Sequence, residues 1–294
     1  MKSKLYIFGL LLAFFTSCEK QKTVQKVTAP ISKKTETSNF EKFEKDRITK
    51  RKSIDEQNLK DSIKLDKILT EALKISTENI HKNTFFKEYE AEFEDENTVT
   101  VTINTNFHFT KSQPHLIIRR HTPNEVLINI YKKENKAFKR VASHSEWSMT
   151  YVNDTIQDIN GDGLNDFVVN WYAASGCCLK AFSNVYLLRA DKKEFSKNFE
   201  FINPTFSPEE KIIRGICYGH PGNTEMYKYK WKGEQVDTLE FVSYELKANE
   251  EKTGKIIISY KQPYSKNYKI FKRLNHPPKE YEKIEGYSWF LGNF

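Results

Sequence analysis

Hydrophobic and polar residues follow two different periods along this chain. Around residue 65 the apolar side chains recur every three or four positions, at Leu59, Ile63, Leu65, Ile68, Leu69, Ala72 and Leu73. This spacing places them on one face and predicts an amphipathic helix over residues 53–76. From Phe85 onward apolar and polar residues alternate instead, as in the segment 98–104, which is typical of strands with one buried face.

Similar short segments, separated by turn residues, continue through the rest of the chain. They are 116–118, 126–131, 138–141, 167–172, 185–188, 212–217, 227–231, 239–244 and 256–260. Spacing of about ten residues favours an antiparallel β body. The sequence therefore predicts a mostly β fold, either a sandwich or incomplete propeller-like sheets, with one N-terminal helix. The aromatic stretch 263–294 is expected to pack irregularly against that body.

The N-terminus has the pattern of a secretory signal. Basic residues in the first four positions precede an apolar run from Leu5 to Phe15, which is too short to span a membrane. Thr16-Ser17-Cys18 then resembles the processing site of bacterial lipoproteins, which implies cleavage before Cys18 and lipidation of its sulfur. A plain signal peptide cut nearby is the alternative. The lipoprotein reading predicts a cell-envelope location, with the outer membrane as the expected anchoring site.

Composition divides the chain into three parts. After the signal peptide (1–17), residues 18–52 are rich in Lys, Glu, Thr and Ser and poor in apolar residues, so we expect a disordered tether. Residues 53–294 then form one domain that begins with the helix. The net charge is +8. Because basic and acidic residues are interleaved and no Arg-aromatic patch stands out, we expect no nucleic-acid partner.

Residues 158–166 are the segment whose residue types and spacing most directly indicate a chemistry. The order Asp-Ile-Asn-Gly-Asp-Gly-Leu-Asn-Asp supplies oxygen ligands at alternating positions, as calcium loops do. The predicted ligands are Asp158, Asn160, Asp162, the carbonyl of Leu164, and Asp166, the last directly or through water. Gly163 would permit the sharp turn. We expect the calcium to be structural, because an ion enclosed by protein oxygens is a poor hydrolytic metal.

The segment departs from an EF-hand at its end. The twelfth loop position is Val169, inside the β-branched and aromatic run 167–172, where an EF-hand has a glutamate and then a helix. The loop is therefore predicted to lead into a buried strand, with Asp166 replacing the missing glutamate. An Asn/Gly/Asp-rich hairpin turn without metal is the alternative.

The loop and the strand after it resemble the calcium-binding core of FG-GAP or VCBS repeats. The pattern occurs once, so a multi-blade propeller of such repeats is not expected. The longer stretch 158–244 is similar to single-loop envelope proteins of the periplasmic lysozyme inhibitor type. That resemblance implies a β fold around one calcium loop and, in some members, inhibition of peptidoglycan-cleaving enzymes.

Three cysteines remain beyond Cys18, namely Cys177, Cys178 and Cys217. In an oxidising compartment this odd number predicts one disulfide and one spare thiol. Pairing of Cys217 with Cys177 or Cys178 would close a loop of about forty residues and restrict the unfolded chain. A strained vicinal bridge between Cys177 and Cys178 is the less favoured option.

The sequence contains few of the residue patterns that indicate catalysis. Histidines do not occur at the spacing of a helical metal pair, and the Gly-x-Ser-x-Gly pattern is absent. His144, Glu146 and Asp154 could form an acid–base group, but any β protein of this size offers such triples. We therefore expect a binding or inhibitor module rather than an enzyme, with an envelope protein or a cell-wall component as partner. A hydrolase acting on glycan or peptidoglycan is the alternative.

Overall fold

A computed structural model describes residues 33–93, 97–174, 176, 178–263 and 265–293, with side chains from Glu41 onward. The chain divides into two compact units, Met1–Gln57 and Asn58–Phe294. The predicted signal peptide, Cys18 and Cys177 lie outside the described residues. No helix in the described ranges is long and apolar enough to cross a membrane.

The first helix, α1, covers Lys33–Glu78 and is longer than predicted. Residues 33–52, expected to form part of a disordered tether, are helical. The physical reason is local: this stretch contains neither glycine nor proline and is rich in Lys, Glu and Arg, which are good helix formers. A single exposed helix does not need the buried apolar surface on which the tether prediction was based. Phe43, Ile48 and Ile54 are accordingly exposed.

The later part of α1 confirms the predicted amphipathic face, whereas Leu59 and Ile63, predicted on the same face, are exposed. Leu65, Ile68 and Ala72 are buried in one cluster with apolar residues of the sheet that follows the helix. The buried guanidinium of Arg120 also donates a hydrogen bond to the Leu65 carbonyl, 2.7 Å away. The predicted periodicity therefore marks the part of the helix that belongs to the β body.

Fifteen strands among the described residues form three antiparallel sheets. The first sheet contains β1 (Phe85–Glu92), β2 (Thr98–Asn106), β3 (His115–His121), β4 (Glu125–Glu134) and β5 (Ala137–Trp147). The second contains β6 (Tyr151–Gln157), β7 (Asp166–Tyr172), β8 (Ala181–Tyr186) and β9 (Phe199–Ile202). The third contains β10 (Pro204–Ser207), β11 (Ile212–Ile216), β12 (Met226–Lys232), β13 (Gln235–Leu246), β14 (Lys252–Ser259) and β15 (Ile270–Leu274). Within each sheet the strands follow chain order.

The second sheet is the middle layer. On β7, Phe167 and Val169 pack against β3 and β4 of the first sheet. Val168, which points to the opposite face, packs in a separate cluster with residues of the third sheet such as Ile213 and Trp231. A strand buried on both faces has no polar alternation, which explains the nearly continuous apolar run and confirms the predicted buried strand.

The C-terminal segment covers the outer face of the third sheet. It is more regular than predicted, because β15 pairs with β14 and a second helix, α2 (Tyr287–Leu291), follows. Two 3-10 turns, Pro208–Glu210 and Lys279–Tyr281, complete the elements. Tyr281 and Phe290 are fully buried against strands of that sheet. The mostly β fold class, with one long N-terminal helix, is thus confirmed.

His115 gives the fold a predictable sensitivity to acid. It is 1% exposed, and burial lowers its pKa to about 4, with His108 and Lys132 adding positive charge nearby. Unfolded histidine titrates near 6.5. The contribution of His115 to the free energy of unfolding is therefore complete above that pH. It is lost as the pH falls from about 6.5 towards 4, by about 1.4 kcal/mol per pH unit.

The slope of the unfolding free energy against pH counts the protons taken up on unfolding, and we expect His115→Gln to reduce it by up to one proton. Urea unfolding at several pH values between 4 and 7 measures it. Exposed His276→Gln is the control, and an equal slope in both variants would contradict the assignment. The pKa values of His108, His121 and His144 are also lowered by burial, so the wild-type slope should exceed one proton.

Candidate functional site

The predicted calcium loop connects two neighbouring strands of the middle sheet. It begins where β6 ends and finishes at the first residue of β7, and Gln157 lies directly opposite Asp166 in the register. The loop therefore forms the end of a hairpin. Its departure into a strand, rather than into a helix, agrees with the sequence prediction.

Side chains within the loop hold its backbone in successive turns. The two carboxylate oxygens of Asp158 accept hydrogen bonds from the N–H groups of Gly161 (2.7 Å) and Gly163 (2.8 Å). Asp162 Oδ1 accepts one from the Leu164 N–H at 2.8 Å. Asn160 Oδ1 accepts one from the N–H of Asp162 at 3.0 Å. Most of the polar side chains predicted as ligands are thus already used to shape the loop.

Asp166 is fully buried and links the loop to a distant strand connection. Its Oδ2 accepts a hydrogen bond from the Ile159 N–H at 3.0 Å, and its Oδ1 accepts one from the Leu188 N–H at 2.8 Å. Burial raises the pKa of Asp166 to about 7, with the two N–H groups opposing the shift and the negative charges of Asp162 and Asp158 adding to it. The three carboxylates thus share a region of negative potential.

Two glycines are required, for different reasons. Gly163 has a φ of +83° in open space, which is the turn role that the sequence predicts. Gly161 has a φ of +71°, and a Cβ there would lie 2.1 Å from the carbonyl oxygen of Pro208. The close approach of Pro208, in the turn after β10, was missed because local sequence carries no signal for it.

The loop is attached to both cores of the β body. Ile159 is buried between the second and third sheets. Leu164 packs in the cluster between the first and second sheets, and Asn165 Nδ2 donates a hydrogen bond to the His108 carbonyl at 2.9 Å. A change in loop conformation would therefore reach all three sheets.

The loop residues supply the oxygen ligands that calcium prefers, but their carboxylates do not form a complete metal site by themselves. Across the described residues, no three His, Cys, Asp or Glu side chains are arranged to hold a metal by themselves. A calcium shell here would therefore include Asn160, main-chain oxygens and water, all of which are ordinary calcium ligands. A carboxylate oxygen that accepts one N–H keeps a lone pair, so the observed hydrogen bonds leave Asp158, Asp162 and Asp166 able to coordinate.

A second polar cluster lies between the first and second sheets. Arg119 donates two hydrogen bonds to the carboxylate of Asp154, at 2.7 and 2.5 Å. The Tyr151 hydroxyl donates a third to Asp154 at 2.7 Å, and burial raises the pKa of Tyr151 far above its usual range. The side chains of Asp154 and Arg119 are 5% and 18% exposed, so this ion pair is largely buried.

His144, Glu146 and Asp154 are brought into one region but do not form an acid–base triad. His144 Nδ1 shares a hydrogen bond with the Tyr186 hydroxyl at 2.8 Å, and its Nε2 is 3.5 Å from Glu146 Oε2 without forming a hydrogen bond. The adjacent Ser145 points to the opposite face of β5 and donates to Glu125. The carboxylate of Asp154 bonds to Arg119 and Tyr151, and burial lowers the pKa of His144. This arrangement is that of a structural network.

The described cysteines are both buried. Cys178 is 4% exposed and Cys217 is 8% exposed, and no disulfide joins them. Burial raises the pKa of Cys217 to about 12. Asn203 Nδ2 donates to the carbonyls of both Leu179 (3.0 Å) and Ile216 (3.1 Å), which brings the segments that contain these cysteines together. A bridge from Cys217 to Cys177 stays a prediction.

An open cleft of about 500 Å³ lies where the second and third sheets separate. Side chains of β6, β7 and β8 form its floor, and the start of β10 forms the opposite wall. We call it the polar cleft and define it by Asn153, Thr155, Asn170, Tyr172, Ser183 and Phe206. Sequence reasoning missed this feature, because its residues come from separate strands.

Comparisons with models of protein families, with characterised proteins and with solved structures found no match. The likeness of the loop to FG-GAP and VCBS repeats, and of the longer stretch to lysozyme inhibitors, therefore stays an expectation from the residues themselves.

The buried ion pair allows a direct test of the polar cluster. Asp154→Asn leaves the largely buried Arg119 without a counter-charge. We expect the free energy of unfolding to fall by about 3 kcal/mol. The control is Glu194→Gln, which removes an exposed partner of Arg189 and should cost under about 1 kcal/mol. Urea unfolding compares the two. Equal effects would mean that the Arg119–Asp154 pair is not a major support of the fold.

Proposed function

We propose that the protein is a lipid-anchored binding module of the cell envelope with a structural calcium site. The partner is an envelope protein or a cell-wall component, and inhibition of a peptidoglycan-cleaving enzyme is the specific activity that we propose. The observation that carries the calcium part is the Asp158–Asp166 loop, where Asp158, Asp162 and Asp166 all belong to one turn that contacts both cores.

Calcium would stabilise this fold by neutralising repulsion within the loop. Asp158 and Asp162 both raise the pKa of buried Asp166, so in their charged forms the three groups oppose one another. A bound divalent cation reverses that balance and contributes stability by mass action, about 2.7 kcal/mol when calcium is at one hundred times its dissociation constant. The ion's part is structural, as it holds the β6–β7 hairpin against both neighbouring sheets.

Anchoring rests on the sequence at the N-terminus. A basic start, an apolar run and Thr16-Ser17-Cys18 together favour lipidation of Cys18. Acyl chains would attach the protein to the membrane surface, with each buried methylene contributing about 0.8 kcal/mol. The expected location is therefore the outer membrane of the envelope.

The small number of acidic side chains in the polar cleft favours binding over hydrolysis. Glycoside hydrolysis ordinarily uses two carboxyl groups that flank the scissile bond. Among the described residues that line the cleft, Glu285 is the one acidic side chain. A hydrolase acting on glycan or peptidoglycan remains the second candidate, and the activity assay below separates the two.

The calcium proposal predicts the response to a chelator. Removing calcium should lower the melting temperature of the wild type, while Asp158→Ala should abolish this difference. Because Asp158 also supports the loop backbone, Asp162→Asn provides a second variant that keeps the acceptor for Leu164 but loses the charge. Asp191→Asn, in an exposed turn, is the control. A wild-type melting temperature that is the same with calcium and with chelator would contradict the proposal.

The binding proposal predicts inhibition without turnover. The purified protein is mixed with a lysozyme-type enzyme and the clearing of a peptidoglycan suspension is followed, and in parallel the protein is incubated with peptidoglycan alone. We expect slower clearing in the first assay and no release of reducing ends in the second. Release by the protein alone would favour the hydrolase. No effect in either assay would contradict both activities.

A further inference from the structure

We propose that the polar cleft binds an uncharged oligosaccharide. This inference rests on the proposed function as a binding module and names the chemical class of its ligand. The volume of about 500 Å³ is within the range of about 300–1,000 Å³ typical of small-ligand sites. The argument depends on the hydrogen-bonding groups of the floor, the apolar groups at its edge and the scarcity of charge.

A hydrogen-bonded row of polar side chains crosses the floor. Ser183 Oγ on β8 donates to Asn170 Oδ1 on β7 at 2.7 Å, and Asn170 Nδ2 donates to Asn153 Oδ1 on β6 at 2.8 Å. Each residue lies opposite the next in the strand register, so the row is held by the sheet itself. Its geometry is therefore set before any ligand arrives, which limits the entropy lost on binding.

The row keeps unused hydrogen-bonding capacity. An asparagine amide carries two donors and two acceptor lone pairs, and the observed bonds use only part of them. Thr155, on the same face of β6 as Asn153, has a hydroxyl that is shielded from solvent and has no hydrogen-bond partner. Sugar hydroxyls both donate and accept, so they match amide and hydroxyl side chains better than a purely donating or purely accepting ligand does.

Apolar surface lies beside this row. Tyr172 is 44% exposed and Val152 is 58% exposed, and both line the cleft. Phe206 forms part of the opposite wall and packs edge to face on buried Phe201. The C–H faces of a sugar ring can cover such surface while the ring hydroxyls reach the polar row. The cleft therefore offers polar and apolar groups side by side, as the two kinds of surface on a sugar ring require.

The opposite wall is held rigid. The Asn203 side chain accepts a hydrogen bond from the Ala181 N–H at 2.9 Å and donates to the carbonyls of Leu179, just before β8, and Ile216, on β11. Asn203 thus connects the start of β8 with the strand that precedes the wall. A fixed separation between floor and wall favours a ligand of defined thickness, such as a pyranose ring.

The charge of the cleft argues against anionic ligands. Glu285 is the one charged side chain among the described lining residues, so the cleft lacks the cations that a nucleic acid or a phosphate needs. A peptide that adds as a strand needs a free strand edge. The central floor strands, β7 and β8, are already paired on both sides, whereas β6 and β10, which also line the cleft, are edge strands, so an extended peptide is the competing ligand. An uncharged oligosaccharide is the class that these features favour.

The test is titration of the full chain with two neutral β-linked tetrasaccharides, one of N-acetylglucosamine and one of glucose, and with an uncharged extended peptide, each followed by calorimetry. Asn153→Ala should weaken binding about fivefold through the lost hydrogen bond. Tyr172→Ala should weaken it about tenfold through the lost contact area. Tyr260→Ala is the matched control, since that tyrosine is 64% exposed and lies outside the cleft. Its affinity should equal that of the wild type.

Melting temperatures of all variants establish that each one is folded. Binding of either sugar that is weakened by the cleft variants and not by the control supports the proposal. No binding of either sugar, equal affinity in all variants, or binding only of an extended peptide would overturn it. Inhibition of a peptidoglycan-cleaving enzyme that persists in the cleft variants would leave the proposed function intact while removing the cleft from it.

Discussion

The buried carboxylate of Asp166 is the interaction on which the arrangement of the β body most depends. Its two oxygens join the loop at Ile159 to the chain leaving β8 at Leu188, so one side chain positions two connections on the same end of the middle sheet. A buried carboxylate is costly unless its oxygens are hydrogen-bonded. The two N–H groups meet that need, and in doing so they determine where the loop begins and how β8 leaves the sheet.

The middle sheet connects this interaction to both neighbouring sheets. Alternate residues of β7 enter different cores, and the loop before β7 contributes Ile159 to one core and Leu164 to the other. Arg119 and Asp154 add a polar contact between the first and second sheets, while Tyr227 donates to the Ile202 carbonyl between the third sheet and β9. Layers that pack through one shared sheet transmit a local change to both neighbours, which is why we propose the loop as the position of a structural ion.

The same architecture explains the separation between the predicted calcium loop and the polar cleft. The loop lies at the end of β6 where the sheets are packed together, whereas the cleft opens further along β6 and β7, where polar side chains replace the apolar contacts with the third sheet. On the floor-facing side of β7, Val168 is buried in the core and Asn170 belongs to the polar row. A strand that is apolar near the loop and polar near the cleft can support the fold at one end and a ligand at the other.

Local residue patterns were sufficient to determine the amphipathic part of α1, the alternating strands of a mostly β body, and the loop that leads into a buried strand. Each depends on neighbours within about ten residues, such as the Asp158–Asp166 spacing or the glycine at position 163. The extension of α1 to Lys33 was missed because low apolar content was given more weight than helix propensity. Only the tertiary structure decided that Gly161 must avoid Pro208, that Asn153, Asn170 and Ser183 form one row, and that Asp154 pairs with Arg119 rather than His144. These contacts join residues that sheet registry and layer packing bring together, and that information is not contained in any short stretch of the chain.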